Sequence, residues 1–284
     1  MKNTKFDARA LTVKALELRK VVLDMIMKSG GGHIGGDFSV MDILVTLYFD
    51  QMNIGPENMD DENRDYFVLS KGHSVESYYA VLAEKGFFPR ETVINEFSQF
   101  GSKFIGHPNN ELPGIEMNSG SLGHGLPVCV GMALSCRKEN RPSRVYTVMG
   151  DGELAEGSVW EGFMSAGHYK LSNLCAVVDR NRLQISGATE QVMTHENLHQ
   201  QIESFGWNVI ETEGNDIAML HAAFGQAREV TDRPTCILAN TVKGYGGGEI
   251  MEGKASWHHH VPTSEEYALI VEALEQRKEE LLHE

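Results

Sequence analysis

The chain has 284 residues and a formal net charge of −15 at pH 7, with 40 acidic residues against 25 lysines and arginines. Such a surplus of negative charge argues against nucleic acid or an anionic membrane as a partner, because both are polyanions. The charged amino terminus lacks the apolar core of a secretory signal, and no uncharged apolar stretch is long enough to span a membrane.

The length is sufficient for one large hydrophobic core, with roughly 75% of the surface of the unfolded chain removed on folding. Neither a Pro/Ser-rich linker nor a block of like charges divides the sequence, so a single domain over residues 1–284 is expected. The four cysteines are scattered without CxxC spacing, which indicates free thiols in a reducing compartment. A cytoplasmic protein is therefore expected.

The first predicted elements are two helices. Apolar residues recur at helical spacing between residues 11 and 26, and the glycines at 30–32 end that helix. Asp37 or Ser39 is then expected to cap a second helix, because short polar side chains bond the free N–H groups of a first helical turn.

Strands and helices alternate farther along the chain. Short runs of apolar and β-branched residues are expected to be strands at 66–69, 145–149, 174–178, 207–210 and 235–239. Helical spacing follows them at 78–83, 158–168, 217–230 and 264–283. Because such alternation is typical of parallel sheets, the predicted fold class is α/β, a three-layer, doubly wound parallel sheet with helices on both faces.

A turn at the carboxyl end of a predicted strand carries the first candidate site. Gly-Asp-Gly at 150–152 follows the second predicted strand, and Asn181 lies in the loop beyond the third. Ligands bind at this end of the strands in open α/β sheets, so the Asp151 carboxylate and the Asn181 amide should lie close together. With a loop carbonyl near Leu183 and a diphosphate, they would form the oxygen shell that Mg²⁺ prefers. Taken alone, Gly-Asp-Gly could equally be a simple turn.

Histidines form a second candidate site. Among the twelve histidines, five lie in or beside glycine-rich or loop segments: His33, His73, His107, His124 and His258. Neutral imidazoles donate hydrogen bonds to phosphate and hydroxyl groups, and their pKa suits proton transfer near neutrality. A single loop histidine is more often an ordinary surface residue, so the histidines alone do not establish a site.

Several sequence blocks combine these glycines, histidines and acidic residues. They are SGGGHIGG at 29–36, SKGH at 70–73, GHPNNELPGIEMNSGSLGHG at 106–125, GDGELAEG at 150–157, VVDRNRLQISG at 177–187, TVKGYG at 241–246 and WHH at 257–259. In content and order they resemble the amino-terminal domain of the transketolase family, which has a thiamine-diphosphate-binding fold. The resemblance extends over nearly the whole chain and rests on independent blocks, which makes it specific.

The resemblance implies transfer of a two-carbon ketol group from a ketose, such as a sugar phosphate, to an aldose. The residues implied to hold Mg²⁺, or Ca²⁺ or Mn²⁺ as a substitute, are Asp151, Asn181 and the carbonyl of Leu183. The residues implied to bind thiamine diphosphate are His73, Gly120, Ser121, Leu122, Gly150, Asp151, Gly152, Glu156, Asn181 and His258. The residues implied to be catalytic are His33, His107, His258 and Glu156.

The resemblance also implies a partner. In the family, the residue that matches Glu156 hydrogen-bonds, across a subunit interface, the glutamate that activates the cofactor. That glutamate belongs to a second, pyrimidine-binding domain, for which this chain has no room after residue 240. We therefore expect a heterotetramer with a separate carboxyl-terminal transketolase subunit. The alternative for Glu156 is a plain acid at a helix start, where the helix dipole favours a negative charge.

Some positions depart from the resembled pattern or stay without a role. Ser119 stands where the family has Thr, His124 where it has Gln, and Asp37 where it often has a small residue. The change at His124 alters both size and protonation close to the expected cofactor. His259 and His260 extend the run of histidines and match no catalytic residue.

Three other functions stay open. An alpha-type subunit of a thiamine-dependent 2-oxo acid dehydrogenase also carries GDG and needs a partner chain, but the GHP and SKGH blocks favour sugar handling. A deoxyxylulose-phosphate synthase is normally a single long chain. A non-catalytic scaffold subunit would be expected to have lost at least one of Asp151, Asn181, Glu156 and His258, and all four are present.

Overall fold

The structure is a computed structural model that describes residues 6–195 and 197–283. Its strands are β1 (Tyr66–Leu69), β2 (Val145–Gly150), β3 (Leu174–Arg180), β4 (Leu183–Gln184), β5 (Gly187–Ala188), β6 (Asn208–Glu213) and β7 (Thr235–Asn240). Its α-helices are α1 (Ala8–Ser29), α2 (Ile34–Thr46), α3 (Val75–Lys85), α4 (Arg90–Glu96), α5 (Gly125–Lys138), α6 (Gly157–His168), α7 (Thr189–Val192), α8 (Leu198–Ser204), α9 (Ile217–Glu229) and α10 (Ser264–His283).

One parallel sheet of five strands lies at the centre of the molecule, in the order β1-β2-β3-β7-β6. Each strand pairs in parallel with its neighbour, and Val148 of β2 lies between Leu69 of β1 and Val177 of β3. These are the five predicted strands, although the one expected at 207–210 runs on to Glu213. The short antiparallel pair β4-β5 was not predicted.

Two hydrophobic cores, one on each face of the sheet, make the fold three-layered. Successive strand residues point to opposite faces, so in β2 Tyr146 and Val148 pack into one core, and Val145 and Met149 into the other. The first core contains residues of α1, α2, α3, α9 and α10, and the second contains residues of α5, α6 and α8. The predicted α/β fold with helices on both faces is confirmed.

Helix α1 shows why its sequence begins and ends a helix where it does. The Asp7 carboxylate accepts a hydrogen bond from the backbone N–H of Ala10, and Gly30 ends the helix with φ at 72°. The helices predicted after the strands are found as α3, α6, α9 and α10. Within the described residues, no helix combines the length and apolar character that crossing a membrane requires.

The expected start of the second helix is wrong. Helix α2 begins at Ile34 after His33, so Asp37 lies inside its first turn instead of capping it, and Ser39 lies farther along the helix. Every residue of α2 is buried. Gly35 permits this packing, because a Cβ there would lie 2.5 Å from the carbonyl oxygen of Trp257. Tertiary burial therefore overrides the local capping preference.

The carboxyl ends of four neighbouring strands meet at one edge of the sheet. Ser70 follows β1, Asp151 follows β2, Asn181 follows β3 and Thr241 follows β7. The loops that leave this edge carry most of the residues singled out in the sequence. The sheet topology therefore gathers residues that lie far apart in the chain.

Candidate active site

A cavity of about 470 Å³ opens at this edge of the sheet. Most of the sequence-predicted site residues line it: His33, His73, Gly120, Leu122, Gly150, Asp151, Gly152, Glu156, Asn181, Leu183 and His258. The remaining two, His107 and Ser121, are not among the lining residues. Instead, His107 lies next to the cavity, because a Cβ on Gly120 would be 2.9 Å from its imidazole ring.

Asp151 is a buried carboxylate fixed by backbone N–H groups. The N–H of Gly152 donates to Oδ1 at 2.9 Å, and the N–H of Arg182 donates to Oδ2 at 2.6 Å. Burial and the nearby Asp179 carboxylate raise the pKa of Asp151 to about 6. A carboxylate in these surroundings is stabilised by a bound cation, since a cation would offset both effects.

Asn181 and Leu183 lie in the loop that also binds Asp151 through Arg182. The side-chain oxygen of Asn181 accepts the N–H of Leu183 at 3.1 Å, and the Lys243 ammonium donates to the Leu183 carbonyl at 3.1 Å. That carbonyl therefore already faces a positive charge. One carboxylate, one amide oxygen and one carbonyl are hard oxygen donors of the kind that Mg²⁺ takes together with phosphate and water. Within the described part of the chain, no cluster of three His, Cys, Asp or Glu offers another metal site.

Two lysines bring positive charge into the cavity of this acidic protein. Lys71 is buried and donates to Asp179 Oδ2 at 2.5 Å and to the carbonyl of Gly36 at 3.1 Å. Asp179 also accepts hydrogen bonds from Ser39 and Thr241. Neither Lys71 nor Lys243 was assigned a role from the sequence, although both belong to the glycine- and histidine-rich blocks and follow the carboxyl ends of strands.

Burial, together with the neighbouring Lys71, lowers the pKa of Lys243 to about 8. Its ammonium lies 2.9 Å from Nδ1 of His258. An ammonium can only donate, so Nδ1 of His258 is the acceptor and the proton of this neutral ring lies on Nε2. Burial and Lys243 lower the pKa of His258 to about 3, which keeps the ring neutral. His258 is therefore a hydrogen-bond donor held in one tautomer.

His33 lies at the centre of a cluster of imidazoles. Its ring centroid is 5.3 Å from that of His73, 5.8 Å from His258, 4.8 Å from His259 and 6.3 Å from His107. Burial and the adjacent His259 lower the pKa of His33 to about 4. Burial lowers the pKa of His73 and His107 as well, so four rings of the cluster (His33, His73, His107 and His258) are neutral at pH 7 and able to form hydrogen bonds.

The run of histidines after Trp257 divides by position. His258 lines the cavity, and His259 is exposed and faces His33. His260 packs on Trp257 and bonds Glu266 at 2.9 Å, away from this cluster. The sequence did not distinguish these roles, because a loop has no fixed periodicity.

Glu153 joins three loops of the site and was also missed. Its carboxylate accepts hydrogen bonds from the N–H of Gly123 at 2.8 Å, from the N–H of Gly150 at 3.1 Å, and from the Ser70 hydroxyl. Burial raises the pKa of Glu153, and these three donors oppose that shift. The side chain therefore ties the ends of β1 and β2 to the glycine-rich loop.

Glu156 lies at the start of α6, on the open side of the cavity. Its side chain is exposed and makes no capping hydrogen bond. The glycine-rich loop packs against it, because a Cβ on Gly123 would lie 2.6 Å from Glu156 Cβ. His124, the departure from the resembled pattern, is exposed and is not one of the lining residues.

Comparisons with known proteins identify the family of the chain. The family model described as "Transketolase, thiamine diphosphate binding domain" matches residues 10–276. One of the subunits of apulose-4-phosphate transketolase from Phocaeicola vulgatus is 44% identical over 276 residues, which are 95% of this chain and 98% of that protein. The 6-deoxy-6-sulfo-D-fructose transketolase subunit SqwG from a Clostridium species is 39% identical, over 91% of this chain and 94% of that protein.

The fold also matches solved transketolases. Transketolase from Campylobacter jejuni superposes with a TM-score of 0.85 at 27% identity, over 98% of this chain. The chain spans about half of the length of that enzyme, 48% of it. The resemblance found in the sequence blocks is thereby confirmed. The chain belongs to the transketolase family of transferases and corresponds to the amino-terminal, thiamine-diphosphate-binding subunit.

Proposed function

We propose that this chain is the amino-terminal subunit of a two-chain transketolase that transfers a two-carbon ketol group with thiamine diphosphate and Mg²⁺. The observation that carries the proposal is the cavity itself, which brings Asp151, Asn181 and the Leu183 carbonyl together with two lysines and neutral histidines. In a chain of net charge −15, this is where an anionic ligand and its metal would be stabilised.

Each part of the cavity has a distinct task in this proposal. Asp151, Asn181 and Leu183 would hold the metal, and Lys71 and Lys243 would offset the charge of the diphosphate. Thiamine diphosphate, when bound, supplies the carbon centre that stabilises the transferred fragment.

The histidines that line or adjoin the cavity act on the sugar. His33 and His258 are neutral at pH 7, so both can donate hydrogen bonds to sugar hydroxyl groups, and His33 can also accept a proton. The Nε2–H of His258 is fixed as a donor by Lys243. A neutral ring in one tautomer needs no proton rearrangement before it binds substrate.

A helical face that carries exposed apolar side chains supports the proposed partner subunit. Val128 of α5 and Met164 of α6 are exposed large apolar residues, and the exposed Glu161 precedes Met164 by one turn. Helices α5 and α6 pack against each other, and exposed Glu156 at the start of α6 lies at the mouth of the cavity. We infer that the carboxyl-terminal transketolase subunit covers this face and reaches Glu156, in a heterotetramer.

The proposed donor is a ketose with an anionic group at its distal end. The related subunits are named for apulose-4-phosphate and for a sulfonated fructose, both of which carry such a group. No arginine lines the cavity within the described residues, so we expect the groups that bind the distal anion to come largely from the partner.

A cytoplasmic location is part of the proposal, because all four cysteines are free and buried.

Reconstitution tests the function. The chain would be mixed with a carboxyl-terminal transketolase subunit, thiamine diphosphate and Mg²⁺, and assayed on ketose phosphates and on 2-oxo acids. Ketol transfer from a ketose is expected. Turnover of 2-oxo acids alone would instead support the dehydrogenase-type function. Binding of the partner without turnover of either class of substrate would support the alternative of a non-catalytic scaffold subunit.

Replacement of His107 by alanine should separate chemistry from cofactor binding. His107 contacts the histidine cluster and is not one of the residues that line the cavity. We expect kcat of the reconstituted enzyme to fall about a hundredfold, the usual scale for a lost proton-transfer group. Calorimetry should show the cofactor Kd nearly unchanged. His260→Ala is the matched control, and an unchanged kcat for His107→Ala would remove His107 from the mechanism.

A further inference from the structure

Two acidic residues are fully buried near the starts of α2 and α3, the helices that follow His33 and His73. Asp37 lies in the first turn of α2, directly after the segment that contains His33, and Glu76 lies in the first turn of α3, just after His73. Both have no exposed surface. In the sequence, Asp37 stands out as a possible helix cap and as a departure from a small residue, and Glu76 does not stand out at all.

Each carboxyl group has one oxygen bonded to the backbone of the other segment. The N–H of Ser77 donates to Asp37 Oδ1 at 2.9 Å, and the N–H of His33 donates to Glu76 Oε1 at 3.2 Å. The second oxygen of each carboxyl, Oδ2 and Oε2, is buried without any other partner. Because Ser77 directly follows Glu76 in the chain, these bonds place the two carboxyl groups close together. The unpartnered oxygens are therefore satisfied if one proton lies between them.

The charges nearby favour a shared proton over two carboxylates. Two ionised carboxyls this close and fully buried would repel each other without water to screen them. The nearest cation, Lys71, is already paired with Asp179, and the phenol of Tyr79 is neutral because burial raises its pKa. Burial raises the pKa of both carboxyl groups, and the neighbouring Asp37 adds to the shift of Glu76. Near neutral pH the two groups therefore keep one proton between them.

We propose that Asp37 and Glu76 share one proton and act as a positioning pair that holds the backbone of His33 in place at the cavity. The backbone N–H of His33 is bound by Glu76, and a Cβ on the preceding Gly32 would lie 2.6 Å from the same oxygen. The segment therefore packs directly on the carboxyl. Because the hydroxyl of Ser77 also donates to the Asp37 carbonyl at 2.9 Å, the pair joins the starts of α2 and α3.

The catalytic consequence rests on the proposed ketol transfer, whereas the shared proton does not. His33 is the centre of the imidazole cluster, so a small shift of its backbone changes its distances to His73, His258 and His259 together. Displacements on the order of 1 Å can lower a rate about a hundredfold. The pair should thus affect kcat through His33, without contact with the substrate.

Glu76→Gln and Glu76→Leu form a matched pair of variants. The Gln amide can still accept the N–H of His33 and donate to Asp37, whereas Leu fills a similar volume and does neither. Infrared difference spectra of the chain alone at pH 8, where Asp151 is ionised, would compare the wild type with Glu76→Gln. We expect the wild type to show one additional carbonyl band of a protonated carboxylic acid, which Glu76→Gln lacks.

In the reconstituted enzyme, we expect Glu76→Gln to keep kcat within about threefold and Glu76→Leu to lose about tenfold to a hundredfold, with the cofactor Kd unchanged in both. Absence of the band, or an equal loss of kcat in both variants, would overturn the proposal. If Glu76→Leu does not fold, the infrared carbonyl band and the kcat of Glu76→Gln test the proposal by themselves. If the wild-type chain mixed with its partner subunit shows no ketol transfer, the proposed function fails, but the infrared experiment still tests the shared proton.

Discussion

Substitution of Asp151 by alanine is expected to abolish the Mg²⁺-dependent binding of thiamine diphosphate. Asp151 is the one carboxylate in the proposed metal set, and the other members are the neutral oxygens of Asn181 and Leu183. Loss of a group that only orients a metal ligand costs about 10- to 100-fold in affinity, so loss of the ligand should cost at least a hundredfold. Calorimetric titration with and without Mg²⁺ measures the change, and Asp232→Ala, at an exposed surface position, is the control.

Without bound metal, the negative charge of Asp151 should lower the stability of the fold. Burial and Asp179 raise the folded-state pKa of Asp151 from its ordinary value of 3.8 to about 6. The folded state therefore binds more protons between these values, and the stability that the protonated group contributes is lost as the pH rises through 6. At pH 8 the charge costs the metal-free protein on the order of 3 kcal/mol.

Asp151→Asn should therefore be at least as stable as the wild type at pH 8 without metal, with a flatter dependence of stability on pH between 4 and 7. Addition of cofactor and Mg²⁺ should reverse the order, because only the wild type gains binding energy. Thermal unfolding at several pH values gives both results. A variant that is less stable than the wild type without metal, or that gains equally from the ligands, would contradict this account of Asp151.

Replacement of Lys71 by methionine should destabilise the fold by about 3–5 kcal/mol, because it leaves the Asp179 carboxylate buried without its cation. The side chains of Lys71 and Asp179 are 1% and 0% exposed, so water cannot take the place of the lost partner. Among the residues that the structure describes, only the hydroxyl groups of Ser39 and Thr241 would still donate to the Asp179 side chain. Urea denaturation without cofactor measures the change.

The double variant Lys71→Met/Asp179→Asn is the control for this effect. Removal of both charges should recover most of the lost stability, since replacing a whole buried ion pair is far less damaging than removing half of it. The folded double variant should still bind thiamine diphosphate more weakly than the wild type, because Lys71 lines the cavity. A loss below about 1 kcal/mol in the single variant would mean that Asp179 does not need this cation.

The proximity of the proposed metal-binding residues was predictable because a general rule of α/β sheets applies to them. Asp151 and Asn181 follow consecutive strands, and the strands were recognisable from their apolar, β-branched residues. Lys71 and Lys243 also follow strand ends, so the same rule could have found them. They were missed because a lysine in a loop is normally solvated, and only the tertiary fold buries these two.

Other features depend on contacts that no local pattern encodes. Glu153 bonds three loops through partners at Ser70, Gly123 and Gly150, two of them far away in the chain. The hydrogen bonds of Asp37 and Glu76 join the starts of two different helices. In the sequence, Glu153 and Glu76 look like ordinary surface acids, and only the tertiary fold shows that they are buried.

Comparison of ketol-transfer rates for the chain alone and for the chain mixed with its carboxyl-terminal subunit tests the central claim most directly. Both samples would contain saturating thiamine diphosphate, Mg²⁺ and a ketose phosphate donor with an aldose acceptor. We expect no measurable turnover from the chain alone and steady turnover from the mixture, because this chain would hold only the diphosphate end of the cofactor. Appreciable turnover by the chain alone would contradict the claim that the site is completed by a partner.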